Sequence, residues 1–376
     1  MKNKGKQYDV AAYVWPSYTG DEPRAYRFWE EGYGEWQTVH NVKENSKDKP
    51  SDYVWDRRPL WGYVNEANPD VMQMQIDCAV RHGVNVFIYD WYWYENSPFL
   101  ENCLNDGFLK ARNCDKMRFY LMWANHDAGH LWDINNSDEH AYEPIWSGSV
   151  DMDGFKTVVA RWIEKYFTHP SYYKIDGKPV ISIYKTSNFI KGFNGIDGAK
   201  KAVAYLRGEV ERAGLPGVHL QFIHSAHESF YYDGRFGDAP CNAYEKLGFD
   251  SVTFYNPGTL EDRMHGYDEF IRVKKRCYDE MDKAGVLFFP EVSVGWDTNP
   301  RFRKLQPEVM TGNTPDKIKE ALLVAREYVD THDLPAPLVT VNSWNEWTET
   351  SYLQPDNLYG YGYLEAVREV FLGEAE

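Results

Sequence analysis

Eight short apolar runs, rich in β-branched and aromatic residues, recur along the chain, and each breaks off at polar or aromatic positions. They cover residues 8–15, 84–93, 119–126, 179–185, 219–225, 251–256, 286–294 and 338–344. Between several of them, apolar positions return every three or four residues, over 69–82, 153–167, 199–213, 267–284 and 315–331. Period two inside the runs and period 3.6 between them predict strands alternating with helices, the α/β pattern of a (β/α)8 TIM barrel. No repeat, low-complexity linker or charge block divides the 376 residues, so a single domain over 1–376 is expected.

The connections are unequal. Residues 16–82 join the first two strands through a stretch rich in Trp, Tyr, Gly and charged groups, and 128–150, 226–248 and 295–313 are also extended. Long βα loops at the mouth of a barrel build substrate clefts or lids. Side chains from the carboxyl ends of different strands converge there. Those ends carry Tyr13 and Trp15, then Asp90, Trp91 and Trp93, then Trp123, Asn125 and His126. Tyr184, His224, Tyr255, Asn256, Glu291, Trp296, Asp297 and Asn345 follow on later strands. Rings that stack on a sugar face, with amides and carboxylates that meet its hydroxyls, are the composition of a carbohydrate cleft. Trp15, Asp90, Trp91, Trp123, Asn125, His126, Tyr255, Trp296, Asp297 and Asn345 are the expected substrate-binding residues.

Composition narrows the field. A formal charge of −16 without a basic patch excludes nucleic acid and anionic membranes as partners. No apolar run reaches membrane-spanning length, so no insertion is expected, and residues 1–9 lack the apolar core of a signal peptide. A periplasmic or secreted location would require a leader removed from this chain; otherwise the location is cytoplasmic. Five cysteines without a CxxC spacing argue against a disulfide scaffold or a structural zinc site. His126, Asp127, His130 and Asp133 follow no regular ligand order, so no metal is expected, and no phosphate or dinucleotide loop calls for a cofactor. His224 and His227 lie around Ser225, yet no nucleophile-elbow motif accompanies them.

The segment 338–350, LVTVNSWNEWTET, is the most informative. Its apolar run stops at two tryptophans and two carboxylates, Glu346 and Glu349. A helical turn after Trp347 would bring the two to one side, roughly 5–6 Å apart at Cβ, a separation suited to glycoside hydrolysis with retention. The neighbouring indoles would offer stacking faces and raise the acid's pKa by excluding water.

Several segments together resemble one family. Gly32-Tyr33-Gly34-Glu35-Trp36, the aromatic-tailed strand 84–93, Met122-Trp123-Ala124-Asn125, Trp296-Asp297-Thr298-Asn299-Pro300-Arg301 and Trp344-Asn345-Glu346-Trp347-Thr348-Glu349 are similar to the WbsX-like family. That group is related to glycoside hydrolase family ninety-nine, endo-acting α-mannosidases and α-mannanases on a (β/α)8 barrel. The resemblance implies that Glu346 acts as a base on the sugar's own 2-hydroxyl, through a 1,2-anhydro sugar. It implies that Glu349 is the general acid that later activates water, and it adds Glu35 to the substrate-binding set. The residues themselves equally allow Glu346 as direct nucleophile. Thr350 and Gln354 stand where the family has Gly and Glu, and WDTNPR replaces a WDNTPR-like segment. The expected function is a retaining, metal-independent glycoside hydrolase on a polysaccharide or complex glycan. The alternatives are a glycosyltransferase of polysaccharide biosynthesis, the description this family also carries, and a non-catalytic carbohydrate-binding barrel. Carboxylates facing an open cleft would favour the enzyme, and carboxylates held in salt bridges the binder.

Overall fold

A computed structural model describes residues 7–225, 228–256 and 266–373; His227 lies outside them. Eight strands form the barrel: β1 (Asp9–Val14), β2 (Val86–Tyr94), β3 (Arg118–Trp123), β4 (Lys178–Ile183), β5 (His219–His224), β6 (Ser251–Phe254), β7 (Glu291–Ser293) and β8 (Leu338–Asn342). Parallel pairing runs β6-β5-β4-β3-β2-β1-β8-β7. The ring closes between β6 and β7 through one parallel bridge, Val252 with Phe288, where Phe289 N–H donates to Val252 O at 2.9 Å.

The predicted helices are present as α1 (Pro69–Arg81), α2 (Met152–Trp162), α3 (Ile196–Arg212), α4 (Tyr267–Ala284) and α5 (Pro315–Thr331), followed by α6 (Gly362–Phe371). Helix α1 begins where the sequence dictates: Asn68 caps it by accepting from Asp70 N–H, and Pro69 sits in the first turn, where no donor is needed. Helix α3 starts three residues before its periodic pattern, because the distant Asp238 carboxylate accepts Ile196 N–H at 3.0 Å. Strand β7 is shorter than its apolar run, since Pro290 has no N–H to give a ladder.

Alternation within the strands decides what reaches the site. Ile88 of β2 pairs with Tyr13 and Tyr120, and Asp90 with Met122. Asp90 and Tyr92 therefore face inward, while Trp91 and Trp93 face the surrounding helices. The interior is polar enough to need internal bonds: Ser182 Oγ donates to Gln221 Oε1 at 2.7 Å, and the Thr253 and Thr340 hydroxyls meet at 2.7 Å. Among the described residues, no helix is long and apolar enough to cross a membrane.

Candidate active site

The chain leaves β8 into a tight hairpin. Asn345–Glu346 pairs antiparallel with Ser351–Tyr352 around a single 3-10 turn, Trp347–Glu349, so the expected helix after Trp347 is one turn long. Thr350 adopts φ +57°, a conformation that suits Gly; its hydroxyl is held between Asp297 O at 3.0 Å and Trp55 Nε1 at 2.9 Å.

The hairpin is anchored from beneath. Asn345 accepts Trp15 N–H at 2.8 Å and donates to Trp15 O at 2.9 Å and to Glu66 Oε2 at 2.8 Å. Glu66 also accepts from Gln75 at 3.0 Å and Gln354 at 2.9 Å. Trp344 Nε1 donates to Gln75, and Trp347 Nε1 to Gln354. The two tryptophans expected as stacking faces are instead fully buried in this network; Trp347 stacks on Tyr352 at 3.8 Å. Gln354, where the family has Glu, gives Glu66 an amide donor in place of a second buried charge.

Arg301 gathers the carboxylates. Its guanidinium, 3% exposed, bonds Glu35 Oε1 at 3.0 Å, Glu346 Oε1 at 2.7 Å and Glu349 Oε1 at 2.7 Å. Because a guanidinium fork is rigid, two bonds of 2.7 Å keep the Glu346 and Glu349 oxygens within about 8 Å of each other, a range that includes the retaining separation. Glu35 is fixed further by the indole N–H of Trp15 and by Ser17 Oγ at 3.3 Å. Glu349 Oε2 is buried with no protein partner.

Asp90 stands nearby, its Oδ2 accepting Tyr255 OH at 2.9 Å while its buried Oδ1 has no partner. Burial pushes Asp90 well above the usual carboxylate range, and the Glu349 charge adds to it. Burial likewise raises Glu346; Arg301 opposes this, and Glu349, Glu35 and Asp90 reinforce it. One cation thus faces four acids, and of these Asp90 and Glu346 are held toward their protonated forms.

These residues line a cavity of about 290 Å3 at the carboxyl ends of the strands. Of the expected site residues, Trp15, Asp90, His126, Tyr255, Glu346 and Glu349 face it. Burial pushes His126 down to about 4, and with Nδ1 near Asp127 O at 2.8 Å the neutral ring leaves Nε2 for a ligand. Glu35 stands behind Arg301.

The remaining expected residues lie elsewhere, for definite reasons. Trp91 bonds Glu101 at 2.7 Å and packs on Trp162 outside the barrel, and Trp123 lies between Phe155 and Trp162, as alternation requires. Asn125 clamps the Lys185 backbone through bonds of 2.8 and 2.9 Å, and Asn345 clamps Trp15. Asp297 accepts from Asn299 N–H and Nδ2 and from Tyr53 OH, fixing the turn that presents Arg301. Trp296 precedes it and is buried. Gly295 runs so close to Thr350 that a Cβ would lie 2.4 Å from its carbonyl oxygen, which keeps this loop against the hairpin.

Sequence reading missed Arg301, although it ends the WDTNPR segment, and also Tyr92, whose inward position follows from that of Asp90 two residues earlier. Trp132, which packs on Trp15 at 5.2 Å, lay unmarked in a long loop. His130 pairs with Asp133 at 3.8 Å, and among the described residues no three or more His, Cys, Asp or Glu are placed so that they could hold a metal ion.

The fold and site define an eight-stranded parallel α/β barrel with a buried carboxylate–arginine cluster at the mouth where such barrels hold their sites. More particularly, the chain belongs to the family described as Glycosyltransferase WbsX, whose model matches residues 10–367. It is 23% identical over 356 residues to a protein of Xanthomonas campestris pv. campestris named "Uncharacterized protein WxcX", covering 91% of this chain and 46% of that protein. The chain thus spans about half the length of the curated relatives it matches. Among solved structures it resembles a "Glycoside hydrolase-like protein", with TM-score 0.60, 14% identity and coverage of 97% and 94%. It also resembles the glycoside hydrolase family ninety-nine endo-alpha-mannosidase from Bacteroides thetaiotaomicron, with TM-score 0.55, 12% identity and coverage of 96% and 95%. At these identities the likeness concerns the barrel fold.

Proposed function

We propose that this barrel is a single catalytic domain that hydrolyses a glycosidic bond in a polysaccharide or complex glycan, α-mannoside-like in type, with retention and without a metal. The observation that carries this reading is the convergence of Glu346 and Glu349 on Arg301 at the cavity, with Glu349 Oε2 buried and unpartnered. A salt bridge alone would suit a binder, but Glu349 lines a cavity walled by rings and keeps one carboxyl oxygen free of any protein partner, which leaves it a hydrogen bond to make to the oxygen of the bond to be cleaved.

In this reading Glu349 protonates the leaving oxygen and then deprotonates the incoming water. Glu346 acts on the opposite side, either on the anomeric carbon or on the 2-hydroxyl. Arg301 orients both and limits the charge they carry together, while Asp90 and Tyr255 meet sugar hydroxyls.

The test is reducing-end release from a panel of plant, yeast and bacterial polysaccharides by native protein and Glu349→Gln. Loss of a general acid removes roughly 10²–10⁴-fold in rate, so release by the native protein should vanish in the variant while binding persists. Equal release by both would overturn the assignment. Glycan binding without release would make the protein a carbohydrate-binding barrel. Sugar transfer that requires a nucleotide sugar would make it the transferase its family description names.

A further inference from the structure

A second cavity, of about 620 Å3, adjoins the first over the carboxyl ends of β4 and β5, and Lys185 and Glu228 line both. The two differ in charge. The first gathers Asp90, Asp127, Glu228, Glu346 and Glu349 against Arg301 and Lys185. The second holds Lys185, Lys191 and Arg235 against Glu228 and Asp233, and both of these acids are already answered within the protein. Asp233 accepts Arg235 Nε–H at 2.6 Å, and Glu228 accepts the backbone N–H of Ser187 at 3.0 Å and its hydroxyl. Neither Lys185 nor Lys191 lies within 4.0 Å of a carboxylate among the described residues, whereas Arg235 is paired with Asp233. Two exposed rings, Tyr231 at 65% and Phe236 at 51%, stand in the same wall. Two ammonium groups outside bridging distance of any carboxylate, beside exposed aromatic faces, form a local arrangement for a ligand with an anionic group and a flat apolar face, set against the negative charge of the chain as a whole.

We propose that the second cavity is a subsite for a carboxylate-bearing sugar unit, so that the substrate is an acidic glycan. Its chain passes from the catalytic cavity between Lys185 and Glu228; the Lys185 and Lys191 ammonium groups bind the carboxylate, and Tyr231 or Phe236 stacks on the ring. This rests on the glycan reading of the first cavity and assigns the class of glycan.

The experiment uses Glu349→Gln protein, so that binding is read without turnover and stands apart from whether reducing ends are released. Affinity electrophoresis through polygalacturonate, alginate and hyaluronate is compared with the carboxyl-reduced form of each polymer. At least one acidic polymer should bind 10-fold or more tighter than its reduced counterpart, and that preference should weaken with added salt. Adding Lys185→Gln and Lys191→Gln should remove the preference with the unfolding midpoint unchanged. Lys191→Gln alone, at an exposed position, should reduce it by several-fold if the double variant misfolds. Equal retention by acidic and reduced polymers, no retention by any of them, or a preference that survives both lysine changes would overturn the proposal. So would tight binding of UDP-glucose or GDP-mannose that is lost with the two lysines, which would make the cavity a site for an activated sugar donor.

Discussion

Arg301→Met removes the one group that bonds Glu35, Glu346 and Glu349 together, leaving two buried carboxylates and one partly buried one without it. Breaking a buried ion pair from one side costs about 3–5 kcal/mol, because the remaining charge is stranded. With an unfolding entropy of about 2.1 cal/mol/K per residue, the 376-residue chain changes by about 0.8 kcal/mol per degree near its midpoint. The variant should therefore melt about 4–6 °C lower at pH 8. The deficit should depend on pH with a definite sign. Burial already holds Glu346 above the usual carboxylate range, and loss of the arginine raises it further. A group whose folded pKa is raised contributes stability that is complete below its unfolded pKa and is lost as pH rises through the folded value. The melting deficit should thus shrink to less than about 3 °C at pH 5, where the stranded carboxyls can take up protons. Arg301→Lys should be milder at both pH values, since it restores the charge but not a fork reaching three acids. Differential scanning calorimetry at the two pH values is the assay. A deficit under about 2 °C at pH 8, or one larger at pH 5 than at pH 8, would refute the clamp.

Three further outcomes follow. Burial pushes Glu66 from 4.5 up to about 7, so its contribution is intact below pH 4.5 and lost as pH passes 7; Glu66→Gln should gain up to about 3 kcal/mol relative to native protein between pH 5 and 8, and a pH-independent difference in urea unfolding would refute this. Trp91→Phe should lose about 1–2 kcal/mol of stability through the Glu101 bond and outer packing, with substrate KM unchanged; a 10-fold rise in KM would put its ring on the sugar instead. Asp90 is held toward its protonated form, which Asn imitates in shape and donor capacity; Asp90→Asn should bind glycan within about 3-fold of native and Asp90→Ala at least 10-fold more weakly, and equal losses in calorimetric titration would contradict that.

The barrel was legible because its two periods are local. Apolar runs and amphipathic stretches carry their own evidence of strand and helix, and α4 and α5 begin and end at their predicted residues. The site was legible only in part, for a reason visible at β2. Sequence type alone groups Asp90, Trp91 and Trp93 as sugar-binding candidates and passes over Tyr92, yet a strand sends neighbours to opposite faces. Asp90 and Tyr92 meet the cavity; Trp91 meets Glu101 and Trp162, and Trp93 stacks on Trp91. Applied strictly, the strand period would have separated them. No comparable local signal marks Asn125 or Asn345, polar residues that clamp backbone groups of other segments, whereas Asp297 fixes its own turn through Asn299.

Arg301 is the sharper case. It lies 45 residues from Glu346 and 266 from Glu35, in a loop without a helical or strand period, so no pattern links it to either. Its position nonetheless changes how the carboxylate pair has to be understood. Read from sequence, Glu346 and Glu349 are two acids that must acquire different pKa values from a nearby indole. In the folded chain the indoles of Trp344 and Trp347 are turned away, and the charge state follows from balance: one guanidinium against Glu35, Glu346, Glu349 and Asp90. Burial and neighbouring negative charge hold Glu346 and Asp90 toward their protonated forms, so the charge of each depends on the acids around it. Substitutions that change the group's charge, whether at Glu35 or at Asp90, should therefore shift the pH profile of any turnover at Glu349 without touching that residue.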